Sequence, residues 1–593
     1  MLKRWIRLII ISLTFSLPAV HAKESHQIKW HEWSNSVFEQ AARENRFVLM
    51  DLEAVWCHWC HVMDQETYGN PGVADLINQH FMAVKVDQDA RPDLSNRYIE
   101  FGWPATIFFA ADGTEIVKRR GYIPPERMQR LLQAIIDDPS PEKSGTSFEG
   151  LDFTRESSLP ASLRAELERR HREYYDEKLG GLPILQKFLV RDNVEYDMWK
   201  AAKGDPLSEK RARQTLDAAL GLLDPVWGGF YQYSTHSDWQ HPHFEKIMPV
   251  QAGYLRIYAL AYAQLRDPHY LNAAEAVVNY LNNFLTSPEG AFYVSQDADL
   301  IQGQHSGDYF ALDDQQRRAK GIPRVDKHLY ARENGWAIEA LATLYEVTLN
   351  KQYLDRALRA ARWVESNRTL PGGGFSHDKK DKAGPYLGDT LAMGRACLQL
   401  YRVTADREWL QKARDALTYM AANFMGATAG MLSAVADESP IKPVPLNDEN
   451  VDFARFANLL YQYTGDNSSQ QGIQHTLRFL TNEQVATKWI TESGILLLDD
   501  ELKQDPLHLT IVGSKKDDHA RKLFRAAVLT PHWYKRVEWW DRAEGNLTNP
   551  DVQYPELSKA AAFVCTENRC SLPQFTPEDL ATLIENLKRT DPS

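Results

Sequence analysis

The sequence predicts a multidomain chain: an N-terminal α/β domain, a central all-α toroid of helical hairpins, and a small C-terminal α/β annex. Three observations predict it. Between residues 27 and 137, apolar β-type runs alternate with helical stretches. Between 155 and 500, one helical hairpin pattern recurs. Between 505 and 593, strand and helix patterns alternate again, and 138–154 reads as a linker.

Composition sets the outer bounds. The 593 residues make three or four units of ordinary domain size. With 43% hydrophobic and 25% charged residues, the chain is soluble and globular rather than mostly disordered. A net charge of -12 argues against nucleic-acid binding, which needs a basic face. Five cysteines are too few for a disulfide scaffold.

The first 22 residues read as an address. Lys3, Arg4 and Arg7 precede the apolar run 8–17, and Val20 and Ala22 fit the small-residue cleavage rule. Residues 1–22 are therefore expected to be a cleaved signal peptide. The expected destination is outside the cytoplasm, the periplasm in a two-membrane bacterium. No membrane attachment is expected after cleavage, because no later run is long and apolar enough to span a bilayer.

In the first domain, 47–52 reads as a buried strand, followed by a helical stretch to His80. Further strands are expected at 81–86, 105–109 and 115–119, with Asp112-Gly113 as a hairpin turn and 125–137 as the closing helix. Between the first strand and helix lies Cys57-His58-Trp59-Cys60. A Cys-x-x-Cys opening a helix is a redox dithiol arrangement. The helix N-terminus stabilises a thiolate at Cys57, Cys60 lies one turn further on, and a charged His58 adds to the effect. A structural disulfide or half of a zinc site are the alternatives. Zinc needs four ligands; His61 offers a third, and the sequence shows no clear fourth.

In the second region, Tyr-x7-aromatic-Leu-x2-Ala occurs at Tyr262, Tyr345 and Tyr401, each copy ending one helix and beginning another across a polar turn. Residues 449–465 and 468–481 form a degenerate fourth hairpin, and earlier helices are expected at 160–175 and 206–224. Glycine-aromatic loops alternate with the hairpins at Phe230, Phe292 and Phe375. They favour a closed toroid over an open solenoid, with the loops gathered at one mouth.

Polar residues concentrate in those loops. Trp239, His243, Glu245, Asp297, Asp299, Glu333 and Asp389 are expected to share one cavity at that mouth. Carboxylates and histidine in an aromatic cavity suit acid/base chemistry on a sugar. The same residues also serve as helix caps and buried ion pairs, the more frequent role. In the annex, strands are expected at 508–513 and 561–565 and a helix at 517–527. Cys565 and Cys570 are spaced to close a small disulfide, with a redox shuttle as the bolder alternative. Cys397 is expected to be buried and inert.

The segment from Met50 to Cys57 resembles the thioredoxin approach to its active site. The resemblance implies that Cys57 attacks, that Cys60 resolves, that Asp51 is the buried acid taking the resolving proton, and that Pro104 is a cis-proline facing the dithiol. From about Trp30 to Pro573 the chain resembles the spermatogenesis-associated thioredoxin-domain proteins, which fuse a thioredoxin-like domain to a six-hairpin (α/α)6 toroid similar to sugar epimerases and six-hairpin glycosidases. The resemblance is carried by 57–63, 242–246, 297–299, Asp326-Lys327, Asn334-Gly335 and the Cys565/Cys570 pair. It implies a carbohydrate-sized cavity in the toroid. Two departures stand out: Pro249-Val250-Gln251 replaces the family's Tyr-Asp-Asn, which removes an acid from the mouth, and 184–189 keeps only Lys187-Phe188 of a family segment.

The leading expectation is an exported thiol-disulfide oxidoreductase whose toroid binds a client or a glycan. Its expected partner is a protein thiol or disulfide, with a carbohydrate as the further ligand. The alternatives are a carbohydrate-active toroid with an accessory thioredoxin domain, or a non-catalytic binding protein. No cofactor and no metal centre is expected.

Overall fold

The computed structural model describes residues 27–142, 150–154, 157–381, 383–435, 440–532, 534–566 and 569–590. The expected signal peptide and part of the expected linker lie outside the described residues.

The N-terminal domain runs β1 (Trp30–His31), α1 (Asn35–Glu44), β2 (Phe47–Glu53), α2 (His58–Met63), α3 (Pro71–His80), β3 (Phe81–Asp87), α4 (Pro92–Arg97), β4 (Ala105–Phe109), β5 (Glu115–Arg120) and α5 (Pro125–Asp137). The sheet order is β1-β3-β2-β4-β5, with β2 parallel to β3 and antiparallel to β4. β2 reads as an unbroken apolar run because helices cover both faces of the sheet. Val48, Met50 and Leu52 pack into one core and Leu49 into the other, the two-residue period of a strand. The layout is thioredoxin-like.

The toroid begins with α6 (Ala161–Glu173), α7 (Arg191–Ala202) and α8 (Pro206–Ala219). After the short pair β6 (Tyr233–Ser234) and β7 (Pro242–His243) come β8 (Lys246–Ile247), α9 (Met248–Leu265), α10 (Pro268–Phe284) and β9 (Ser295–Gln296). Next are α11 (Gly307–Phe310), α12 (Asp314–Lys320), β10 (Val325–Asp326), α13 (Ala331–Thr348), α14 (Lys351–Arg368), α15 (Leu387–Thr404) and α16 (Arg407–Asn423). The region ends with α17 (Asn447–Thr464), α18 (Ser468–Leu480), α19 (Glu483–Ala486) and α20 (Ser493–Leu502).

Helices α7, α9, α13, α15, α17 and α20 each pack on the next, and α20 returns to α7, so the inner ring closes. Outside it, α8, α10, α14, α16 and α18 each pair with the inner helix before them, and α6 covers α20. The sixth hairpin thus joins the two ends of the region. On the ring's inner side, Glu195 pairs with Arg256 and Arg455, Arg455 with Glu501, and Arg395 with Glu339 and Asp452. Burial of these charges is tolerable because each has opposite partners on neighbouring inner helices.

The repeat has a physical basis. Helices α9, α13, α15 and α17 are each 18 residues long and end on a left-handed residue: Arg266, Leu349, Ala405 or Gly465. The amide of that residue bonds back to the carbonyl of Tyr262, Tyr345, Tyr401 or Tyr461. At the other end, the fourth residue of each of these helices accepts a bond from the amide of a loop residue. Gln251 holds Phe230 at 2.8 Å, Asn334 holds Phe292 at 2.7 Å, Thr390 holds Phe375 at 3.1 Å and Asn450 holds Met431 at 2.7 Å. Gln251, Asn334 and Asn450 also donate to the carbonyl of the same loop residue. The loops need glycine: Gly228 has φ +72°, and a methyl group there would lie 2.2 Å from the Ala276 carbonyl oxygen.

The annex runs β11 (Leu507–Val512), α21 (Asp518–Leu529), β12 (Lys535–Trp540), β13 (Ala561–Thr566), β14 (Arg569–Cys570) and α22 (Pro577–Thr590), with sheet order β12-β11-β13-β14. Cys565 and Cys570 face each other across β13 and β14 and are joined by a disulfide. Cys397 is buried. Sequence periodicity alone does not reveal β1, α1, α4, α7, α20, β12 or α22. The helix expected over 206–224 ends as an α-helix at Ala219.

Candidate active site

Cys57 is the N-cap of α2, in extended conformation, and the Cys60 amide donates to Cys57 Sγ at 3.2 Å. The two cysteines form a disulfide. Trp103-Pro104 is a cis peptide bond, and β4 follows directly. Asp51, on β2, is 2% exposed, and its Oδ1 has no hydrogen-bond partner among the described residues. Burial raises its pKa well above the ordinary carboxylate value; Glu53 adds to the rise and Lys85, at 3.9 Å, opposes it.

The toroid covers this centre. Cys57 and Cys60 are 4% and 2% exposed, packed with Ala54, Trp56, Trp103 and, from the toroid, Ile247 and Val250. Val250 is the third residue of α9. The position where the resemblance places an acid therefore carries an apolar side chain against the disulfide.

Strand β8 pairs with β9, and β9 with β10, in a small antiparallel sheet at the mouth. It delivers Asp297, Ala298 and Asp299 to α2. The Ala298 amide donates to the Trp56 carbonyl at 3.3 Å. Asp299 accepts from His58 Nδ1 at 2.8 Å, from His61 Nδ1 at 3.1 Å and from the Gly303 amide at 2.8 Å. Burial opposes ionisation of Asp299, but the two imidazoles and the amide outweigh it and hold the pKa down at about 2. His58, next to Cys57 at the start of α2, therefore also faces Asp299 of the toroid.

His61 lies between acceptors: Nδ1 faces Asp299, and Nε2 faces the Val55 carbonyl at 3.1 Å. Burial pulls its pKa down, and Asp299 with Asp297 turns the balance upward. Asp297 is 1% exposed; Oδ1 accepts from the Asp299 amide, and Oδ2 has no hydrogen-bond partner among the described residues, with His61 Nε2 3.8 Å away. Burial raises Asp297 to about 7.

Glu245 lies on the same side, with His243 Nδ1 3.6 Å from its Oε1, and its Oε2 unpartnered. His243 stacks on Tyr233. Glu333, Asp389 and Glu449 are the third residues of α13, α15 and α17, and each keeps one carboxylate oxygen without a hydrogen bond. Glu333 is held by Arg332 and Asp389 by His377. His377 also reaches the thioredoxin-like domain, donating from Nε2 to the Asp89 carbonyl at 2.7 Å, and Asp89 in turn accepts from Trp56 Nε1. Asn96 contacts Glu449 across the same seam.

Trp239 does not join them. Its indole donates to the Leu179 carbonyl and packs against Gly181, and its own main chain lies against Gly221. It is a packing residue beside α8. Lys246 is likewise structural, buried against Asp224 and Arg317, with burial lowering its pKa to about 8. Lys187 is buried by Asp176 and two carbonyls. His61, Asp89, His377 and Glu449 belong to the mouth but are absent from the expected cavity. The register of Glu333 and Asp389, each third on its inner helix, is the signal that points to Glu449 on α17.

Among the described residues, two clusters have metal-like donor sets: His61, Asp297 and Asp299, and Asp51, Glu53 and Asp64. The second already holds a cation, since Lys85 Nζ lies 3.9, 3.0 and 2.6 Å from its three carboxylates.

The family model Thioredox_DsbH, described as a protein of unknown function (DUF255), matches residues 15–137. Mouse spermatogenesis-associated protein 20 is 28% identical over 307 residues, which cover 46% of this chain and 39% of the mouse protein. The uncharacterized protein B0495.5 of Caenorhabditis elegans is 23% identical over 551 residues, 71% of this chain and 75% of that one. The cellobiose 2-epimerase of Bacillus thermoamylovorans aligns over 54% of this chain and 86% of its own, with a TM-score of 0.43 and 12% identity. The family resemblance drawn from the motifs is supported: a thioredoxin-like domain joined to a helical toroid.

Proposed function

We propose that the chain is an exported thiol-disulfide oxidoreductase whose redox centre closes against its own toroid. The observation that carries this reading is Cys57 at the N-cap of α2, bonded to Cys60, with the buried, under-bonded Asp51 on the strand leading to it. Export rests on the signal pattern of residues 1–22, and the periplasm is the proposed compartment.

In the reductive direction, the Cys57 thiolate attacks one sulfur of a client disulfide. A mixed disulfide forms and the client's other sulfur leaves as a thiolate. Cys60, deprotonated with Asp51 as proton acceptor, attacks Cys57 Sγ, and the client's second sulfur leaves. The enzyme ends as the Cys57–Cys60 disulfide and the client as a dithiol. The reverse sequence oxidises a client. Because Ile247 and Val250 cover the disulfide, a client reaches it only when the thioredoxin-like domain shifts on the toroid.

Trapping in the exporting cell tests this. A Cys60→Ser chain is expected to accumulate mixed disulfides through Cys57, identifiable by mass spectrometry after non-reducing separation. Full cellular activity of a folded Cys57→Ser chain would overturn the reading.

A second reading is a polar, carbohydrate-like ligand in the toroid. It is favoured by the unpartnered oxygens of Glu333, Asp389 and Glu449, and by the exposed Arg191 and Asp448 at the starts of α7 and α17. Loss of activity in Glu333→Gln and Asp389→Asn chains that remain folded, with Cys57→Ser unaffected, would favour it.

A further inference from the structure

We propose that His61, Asp297 and Asp299 form a site for one divalent transition-metal cation of the zinc class, joining the active-site helix α2 to the toroid. The site is independent of the direction of the redox reaction and of what the toroid binds.

The first argument is geometric. One nitrogen of His61 and one oxygen each of Asp297 and Asp299 lie within 4.8 Å of one another. Bonds of about 2.0–2.2 Å to nitrogen and oxygen let one ion reach donors spaced on this scale with small side-chain rotations. All three side chains are buried, so little solvation remains to compete for them.

The second argument is the hydrogen-bond inventory. His61 Nε2 faces the Val55 carbonyl at 3.1 Å and Nδ1 faces Asp299 Oδ2 at 3.1 Å, so either a proton or a metal ion has to stand between Nδ1 and that carboxylate. A lone pair and a carboxylate oxygen repel unless a positive charge stands between them. A proton meets that need for this pair, but it leaves Asp297 Oδ2 buried and without a hydrogen bond. A buried carboxylate oxygen without a partner is costly, and a cation reached by all three residues satisfies it.

The third argument is the support around the ligands. A metal-binding histidine commonly donates its second N–H to a carbonyl, which fixes the ring and its tautomer; Val55 takes that role here. Asp299 is oriented by His58 and the Gly303 amide, and Asp297 by the Asp299 amide. One imidazole and two carboxylates, with coordination positions left for water, suit zinc or cobalt better than a thiolate-selecting ion. The disulfide-bonded Cys57 and Cys60 are not needed as ligands.

The consequence is mechanical. The ion would tie the 297–303 loop to α2 and hold the toroid over the disulfide, so metal occupancy would slow reduction of Cys57–Cys60.

The test uses the full mature chain in its disulfide-bonded form, stripped with chelator and titrated with Zn²⁺ alone by calorimetry. One saturable ion per chain at micromolar affinity or better is expected. Asp297→Asn and His61→Asn, checked for folding by circular dichroism, should each weaken binding by at least the roughly 10- to 100-fold that loss of an outer-shell partner costs. With Co²⁺ as probe, visible d–d absorption should appear in the native chain and be absent from both variants. Absence of one-to-one binding, or binding that both variants retain at native strength, would overturn the proposal.

Discussion

His377 of the toroid donates one ring N–H to the Asp89 carbonyl of the thioredoxin-like domain and the other to Asp389. Both nitrogens are donors, so the imidazole is a cation. Burial works against that charge, but Asp389 outweighs burial and raises the pKa to about 9. The folded value lies above the ordinary histidine value. Its stabilisation is therefore fully present below about pH 6.5 and is lost as pH rises through about 9. We predict that native stability falls by up to about 3 kcal/mol between pH 7 and 10 beyond any change in a His377→Gln chain. Urea midpoints measured across that range check it; parallel curves for the two chains would refute it.

Asp51 shows the opposite side of burial. Its folded pKa is raised, so it favours the folded state at low pH and costs stability as pH rises above the ordinary carboxylate value. Asp51→Asn should therefore raise stability at neutral pH, by about 1–3 kcal/mol, as expected when a buried charge is removed. It should also slow release of clients held on Cys57, because Cys60 loses its proton acceptor. Denaturation midpoints test the first effect, and stopped-flow decay of a Cys57 mixed disulfide tests the second. A less stable variant with unchanged resolution would count against the assigned role.

How much of this was legible in the sequence follows from the physics of each element. The three tyrosine copies repeat because each sits where the 18-residue inner helix must stop and turn, so the hairpins could be read. Helix α7 could not, because Glu195, Tyr196 and Asp197 are all buried and leave no apolar stripe. Helix α20 is a short run buried on all sides, a pattern that fits a strand equally well. The dithiol was legible because its chemistry is local. The toroid residues that hold His58 and His61 are more than 230 positions away, and no spacing rule links them. Trp239 misled because an aromatic in a polar loop looks like a cavity wall, whereas it fills the space over Gly181.

The clasp at Gln251 gives a stability prediction. Its amide makes two buried bonds to Phe230, at 2.8 and 2.6 Å. Gln251→Ala leaves a buried N–H and a buried C=O unpaired, each costing about 1–3 kcal/mol. We expect a loss of about 2–6 kcal/mol, with Asn334→Ala comparable because it abandons the Phe292 pair. Gln251→Asn should lose less than Gln251→Ala if its shorter side chain still reaches one partner. Chemical denaturation of the three chains tests the ranking, and a neutral Gln251→Ala would show that the clasp is dispensable.

Val250 sets α9 apart from α13, α15 and α17, whose third positions carry acids. Glu333, Asp389 and Glu449 hold those positions on α13, α15 and α17, whereas Val250 on α9 packs against the disulfide. A carboxylate there would sit in a water-poor cluster beside Cys57, where like charge disfavours the thiolate. Val250→Asp should therefore raise the pKa of the Cys57 thiol by about one unit or more, the usual scale for a near like charge. Val250→Asn has nearly the same shape without the charge and should shift it far less. The measurement is the ultraviolet absorbance of the thiolate against pH in reduced Cys60→Ser chains, which reads ionisation without a reagent having to enter the closed seam. Identical titrations for the Asp and Asn variants would mean that the side chain at this position covers the sulfur without tuning it.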